Sequence, residues 1–252
     1  MHNTPVDALR IGMAVALAVP LTALAGQDPL TTLPDAYSKQ FENEWVRVVR
    51  VYYAPHVKLP AHAHNALPAA YVYLTDAGPV VFKHVTSALF TATRRPTKAG
   101  SFRVFRGLKN EFHRVENKSE LPSLFLRVEF KTDPKDDTTL RGRFSRDAAH
   151  ASENVQTLQF ENAQVRITRV ICAPGRSMSL ATRPSEPSLL IALQVAQMRE
   201  SGTDTTLRLG QERWLGDTGS LVFENPGRGP VEFLRFDFKT APIAPSASPV
   251  KR

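Results

Sequence analysis

Cysteine is almost missing from this sequence. Cys172 is the only one in 252 residues, so no disulfide can form within the chain. It lies in the apolar run Val170 to Ala173 with no base nearby in sequence, which suits a small buried hydrophobe better than a nucleophile. Glycine is scarce as well, with 13 against 19 prolines, a balance that favours short strands and turns over long helices. Neither a Gly-x-Ser-x-Gly elbow, a phosphate-cradling glycine loop nor a dinucleotide fingerprint occurs, so the chemistries that depend on them are excluded. Acids are outnumbered: 32 Lys and Arg against 24 Asp and Glu leave a net charge of +8. The basic residues are scattered, with Arg94-Arg95 and Arg141, Arg143 and Arg146 as the densest groups. Without clustering among aromatics on one face, no nucleic-acid partner is predicted. The charge fits a solvated basic surface or a small anionic ligand.

Long hydrophobic runs are confined to the N-terminus. Arg10 precedes an apolar stretch from Ile11 to Ala25 that Pro20 interrupts and Ala23-Leu24-Ala25 closes before Gly26. This order predicts an export leader over residues 1–25, too short and broken for a good membrane span. A cleaved leader places the mature protein in the periplasm or outside the cell, off the membrane; an uncleaved apolar helix is the alternative.

The chain repeats itself. Phe41 to Pro55 and Phe160 to Pro174 share Phe, Glu, Asn, Val, Arg, Arg, Val, Ala and Pro at matching places, 119 positions apart (41 against 160). Leu126 to Lys131 matches Leu234 to Lys239, 108 positions apart (126 against 234). Two colinear matches at both ends of a unit indicate a duplication. Unit one runs from 36 to 132 and unit two from 153 to 240. Residues 133–152 form a polar linker, and 241–252 a Pro/Ala/Ser-rich disordered tail. Unit one is longer by about eleven residues, which the sequence places in a loop or lid between Ser87 and Gly100. Within each unit, short runs of β-branched and aromatic residues alternate with Pro, Gly, Asp and Asn. Val46 to Tyr53, Tyr71 to Leu74 and Phe102 to Phe105 are examples. The class is all-β, a sandwich or barrel.

Five of the seven histidines, His56, His62, His64, His84 and His113, fall between positions 56 and 113, and none lies in unit two. His62 and His64 share one face if their stretch is extended. With His113 from a later strand they form a candidate site for a divalent first-row metal, Fe, Mn, Ni or Zn. Pocket-lining, hydrogen-bonding histidines are the competing reading. His56 reads as a turn residue facing solvent and His84 as surface. His2 falls in the leader and His150 in the linker.

On these residues the chain resembles the cupin superfamily. His56, the five residues after it, His62-Ala63-His64 and a strand running to Gly78 match the first cupin motif, with His56 at the motif's glycine. His113 and Asn117 match the His-x-x-x-Asn of the second. The resemblance covers nearly the whole chain as a bicupin. It implies two tandem double-stranded β-helix (jelly-roll-like) barrels, with a metal inside the barrel on two histidines, a glutamate and a later histidine. The glutamate should lie near Pro68 or Ala69, where no carboxylate stands. Glu111 could substitute if it shares a face with His113; a solvated loop residue is its plainer reading. In unit two the offsets align His62 with Ala181, His64 with Arg183 and His113 with Leu221, while Gly175 keeps the motif glycine. The second barrel therefore reads as scaffold, with Arg183 solvent-facing or an anion contact. Two functions follow. One is a metal-dependent, dioxygenase-like enzyme on a small organic substrate lined by Tyr71, Tyr73 and Phe105. The other is a non-catalytic small-molecule or anion-binding protein. A homodimer is expected only by analogy.

Overall fold

The computed structural model describes residues 28–85, 89–108, 111–135, 139–146 and 152–243. The expected leader lies outside them, as does the tail beyond Ile243. One short helix, α1 (Pro29–Thr32), is capped by the Asp28 side chain. Among the described residues the remaining elements are strands. Unit one holds β1 (Tyr37–Glu42), β2 (Val46–Tyr53), β3 (Lys58–Ala63), β4 (Ala69–Tyr73), β5 (Val80–His84), β6 (Thr91–Arg94), β7 (Phe102–Phe105), β8 (Phe112–Asn117), β9 (Ser123–Phe130) and β10 (Arg141–Phe144). Unit two holds β11 (Val155–Glu161), β12 (Val165–Cys172), β13 (Ser177–Ala181), β14 (Ser188–Ala192), β15 (Ala196–Glu200), β16 (Thr203–Leu207), β17 (Glu212–Leu215), β18 (Ser220–Glu224) and β19 (Val231–Phe238).

The two units share one topology. Sheet order β1-β2-β9-β4-β7-β10 is matched by β11-β12-β19-β14-β17, and β3-β8-β5-β6 by β13-β18-β15-β16. The repeated residues explain themselves at this level. Asn43 Oδ1 accepts the N–H groups of Trp45 and Val46, and Asn162 Oδ1 those of Gln164 and Val165, so each turns its first hairpin. Lys131 bridges Glu42 and the Asn43 carbonyl; Lys239 does the same for Glu161 and Asn162. Asn117 and Asn225, both buried, donate to backbone carbonyls on either side of the strand entry. The motif asparagine is thus a structural clamp in both barrels. His56 and Gly175 occupy the same left-handed turn, at φ 57° and 67°.

Strands β4 and β14 are buried throughout. Alternation along them explains this. Ala69, Tyr71 and Tyr73 face the interior of the first barrel, whereas Ala70, Val72 and Leu74 join a separate core. Leu190 and Ala192 fill the second barrel, while Leu189, Ile191 and Leu193 join that same separate core. The shared core also takes Leu126, Val128 and Phe130 from one unit and Leu234, Phe236 and Phe238 from the other. The barrels therefore pack wall to wall.

Two boundaries differ from expectation. The linker is not wholly a connection: β10 pairs with β7 as an edge strand, and Phe144 stacks on Phe102 with centroids 4.6 Å apart. An apolar Phe at that spacing from Arg141 was hidden among polar neighbours. The surplus in unit one is not one lid. It is spread over four connections, 74–79 against 193–195, 85–90 against 201–202, 95–101 against 208–211 and 106–111 against 216–219, with β5, β6 and β7 lying between them.

Because one apolar core serves both barrels, equilibrium unfolding should be a single transition by near-ultraviolet and far-ultraviolet circular dichroism. Phe130→Ala, whose ring lies 6.2 Å and 5.9 Å from those of Phe236 and Phe238, should lower stability by about 3–5 kcal/mol. Two resolved transitions in the wild type would contradict the shared core.

Candidate metal centre

Strands β3, β8 and β5 lie side by side, and their register builds the site. His62 stands opposite His113 on one side and His84 opposite His113 on the other. Opposed residues in an antiparallel pair bring their Cβ atoms to about 4.5–5.5 Å, so three imidazoles form a row. The ring centroids of His62 and His84 lie 5.0 Å and 5.2 Å from that of His113. His64 follows β3, its N–H bonded to the Glu111 carbonyl at 2.9 Å. Its ring is 4.9 Å from His62 and 5.0 Å from His113. The ligand atoms of His62, His64 and His113 all lie within 4.8 Å of one another, as do those of His84, Glu111 and His113.

Outer contacts orient these rings. Nδ1 of His62 lies 2.9 Å from the Pro60 carbonyl, which can only accept, so Nδ1 carries the proton and Nε2 the lone pair. That lone pair accepts from the Tyr37 hydroxyl at 2.9 Å, and Tyr37 in turn lies 2.7 Å from the Tyr53 hydroxyl. A carbonyl holding the far nitrogen is the support that a ligating histidine requires.

His113 is different. Both ring nitrogens are buried without a hydrogen-bond partner, and Oε2 of Glu111 is too. Nδ1 of His113 lies 3.3 Å from Oε1 of Glu111, within ion-pair range but off the line of a hydrogen bond. Each such group costs about 1–3 kcal/mol. A divalent cation would use the one lone pair of the neutral His113 ring and the carboxylate oxygen of Glu111. Burial pushes His62 down to about 4 despite the Pro60 carbonyl, and burial with the Arg127 guanidinium pushes His64 well below 6.5. Burial opposes the charge on Glu111, but the adjoining His113 and the fields of Arg127 and His84 prevail and hold it at about 2. Neutral imidazoles and an ionised carboxylate are the states a metal needs. Two overlapping triads, His62, His64 and His113 and His84, Glu111 and His113, each offer three donors that could hold a divalent ion, and they share His113.

The cavity in front of these residues has a volume of about 330 Å³. Tyr71, Tyr73 and Phe105 all line it, beside His64, Glu111 and His113. Two readings need correction. Glu111 is not solvated: its side chain is 11% exposed and turned toward His113. His84 is not surface: it is 8% exposed, stacked on Phe90 at 4.0 Å. It lies two and four residues beyond the partly buried Phe82 and the buried Val80, a period-2 signal that marks an inward face. Tyr37, from the first strand, was also missed. His56 is solvent-facing, 2.9 Å from Glu120. The buried carboxylate opposite Ala69 in the sheet, Glu129, is held by Arg47, Arg127 and Asn65.

The second barrel also needs a shift of one residue. A bulge in β3 between Leu59 and His62 adds a residue that β13 lacks. His113 corresponds to Leu221, whose partner across the strands is Leu180. His62 therefore corresponds to Leu180 and not Ala181. His64, bonded to Glu111, corresponds to Thr182, bonded to Gly219, and not to Arg183. Leu180 and Leu221 are fully buried in an apolar cluster, which fills the space that the first barrel leaves to histidines. Arg183 is exposed, 3.9 Å from Glu186.

No protein-family model matches the chain. Nor does any curated protein match it in sequence. Solved structures do match in shape. A cupin 2 conserved barrel domain protein from Leptotrichia buccalis superposes with a TM-score of 0.50 at 10% identity, covering 81% of this chain and 88% of its own. The fold is the cupin fold. YhaK from Escherichia coli gives a TM-score of 0.53 at 13% identity over 82% of this chain and 92% of that one. A salicylate 1,2-dioxygenase from Pseudaminobacter salicylatoxidans gives 0.51 at 10% identity over 77% and 71%. At these identities the likeness concerns the cupin fold alone.

The histidine values carry a pH dependence for the chelator-treated protein. The folded His62 value of about 4 lies below the ordinary 6.5, so the unfolded chain binds more protons between those values. Stability therefore rises with pH across that window and is lost as pH falls through it. Melting temperature measured from pH 7 to pH 4 should fall, and the His62→Ala/His64→Ala variant should show a shallower decline. Parallel declines would refute the assignment.

Proposed function

We propose that this cupin-fold protein holds one divalent first-row cation in its first barrel through His62, His64 and His113, with Glu111 as the carboxylate that the motif position lacks. The observation that supports it best is His113, buried with both nitrogens unpaired between two further imidazoles and an ionised carboxylate. When bound, such an ion with open coordination positions polarises or activates small molecules beside it. The chain's own residues supply the rest. The Pro60 carbonyl orients His62 through Nδ1, and the Tyr37 hydroxyl, which otherwise occupies the Nε2 lone pair, would give that lone pair up to the ion. The ring walls of Tyr71, Tyr73 and Phe105 exclude water and favour a flat apolar ligand. A dioxygenase-like reaction on a small aromatic compound is the activity we assign, in keeping with the dioxygenase among the fold's neighbours. Export by the leader at 1–25 is part of the same proposal.

A second reading has its own support: Pro68 and Ala69 stand where cupins carry a glutamate, and a binding protein needs no such base. Elemental analysis decides the metal. The purified wild type should carry about one divalent ion per chain, and His62→Ala/His64→Ala should carry almost none. Equal content in both would overturn the site. Oxygen uptake with aromatic compounds by the metal-loaded wild type separates the enzyme from the binder. After cell fractionation the protein should be recovered from the periplasm or medium with Gly26 as its first residue; recovery from the cytoplasm with a Met1 start would overturn export.

A further inference from the structure

The cavity carries more positive charge than its acids balance. Arg94, at the end of β6, is 5% exposed. One nitrogen donates to the Ser123 hydroxyl at 2.8 Å, while Nε and Nη1 are buried without partners. Arg103 on β7 lines the same cavity, and its Nε is buried and unpaired as well. Among the described residues no carboxylate lies within ion-pair distance of either. Arg127 differs, since Glu129 meets it at 2.9 Å. Glu111 is taken up with His113. The rings of Tyr73 and Phe125, 5.3 Å and 5.6 Å from the Arg94 guanidinium, offset part of its desolvation. They do not satisfy directional N–H donors, and arginine cannot neutralise itself by losing its proton. Burial and the like charge of Arg103 both work against the Arg94 cation, with only the Tyr73 and Tyr53 hydroxyls in its favour.

A carboxylate would correct this. It accepts two parallel N–H bonds from one guanidinium, in a geometry that an ammonium or a neutral amide cannot match. The approach is basic also. A second recess of about 260 Å³ shares Tyr73, Arg94 and Arg103 with the cavity and adds Arg95, Lys98, Arg143 and Arg146, which raises the local concentration of small anions. A volume of about 330 Å³ is at the small end of ligand pockets, and the remaining walls are aromatic: Tyr71, Phe82, Phe105 and Phe125. In barrel two the interior closes as an apolar cluster, and the arginines that line a recess of about 270 Å³ there, Arg166, Arg183 and Arg235, each have a carboxylate within ion-pair distance.

We infer that Arg94, assisted by Arg103, is the carboxylate-binding residue of the first barrel, and that the ligand is a small aromatic carboxylate. This names the substrate class for the cavity assigned above and rests on that assignment for its catalytic meaning, but the anion site can be tested without metal. The full chain, stripped by chelator and dialysed, is titrated calorimetrically with benzoate and with benzamide, its neutral counterpart. Benzoate should bind about ten- to hundredfold more tightly than benzamide. Arg94→Met should erase the preference, weakening benzoate far more than benzamide, and leave metal content unchanged; Arg103→Met should narrow it. Where Arg94→Met fails to fold by circular dichroism, Arg94→Lys serves in its place and should keep only part of the preference. No benzoate binding, equal affinity for the two probes, or an undiminished preference in the Arg94 variants would overturn the inference. A wild type that prefers benzoate yet takes up no metal would sustain the carboxylate site and overturn the metal reading alone.

Discussion

The inter-barrel core constrains everything else in this molecule. Strands β4 and β9 of one barrel and β14 and β19 of the other are covered on both faces. Successive side chains on a strand point oppositely, so each strand serves two packing environments at once. On β4 the residues that wall the cavity, Tyr71 and Tyr73, alternate with Val72 and Leu74, which are locked into the core between barrels. The cavity wall therefore cannot move without disturbing packing that the partner barrel supplies, and close-packed interiors resist such shifts.

The barrels divide two tasks that compete within one. A hollow, polar interior binds but forfeits burial. A filled interior stabilises but cannot bind. Barrel two has Leu180 and Leu221, both in an apolar cluster, where barrel one has His62 and His113. Barrel one keeps buried unsatisfied atoms at Arg94, Glu111 and His113, which are a net cost in an isolated domain. Packing onto a well-filled duplicate offsets that cost. The reciprocal polar contacts at the seam fit this picture: Arg169 reaches the Gly100 carbonyl of barrel one, and Gln40 reaches the Gly210 carbonyl of barrel two.

Much of this was legible in the residues themselves. The duplication was readable because its matched ends, Asn43 with Lys131 and Asn162 with Lys239, are a turn and a tether that each unit needs. His62, His64 and His113 were readable from spacing, and the structure brings them to one place. His84 and Glu111 were not, because their burial depends on which strands neighbour them, and that is a long-range property. Arg94 was visible only as half of a basic pair. Its inward turn follows from β6, a strand of four residues with a single apolar one. The one-residue slip in aligning the second barrel has the same origin, since a bulge leaves no trace in composition.

That bulge between Leu59 and His62 has a consequence for transplanting the site. Sheet side chains reverse direction with each added residue. Histidines set into the second barrel by simple counting, at Ala181 and Arg183, would land on exposed positions. Only Leu180 and Thr182 correspond to the inward pair. The capacity to hold an ion is thus written partly in the length of one strand, and a single deletion there could silence it with every histidine still present.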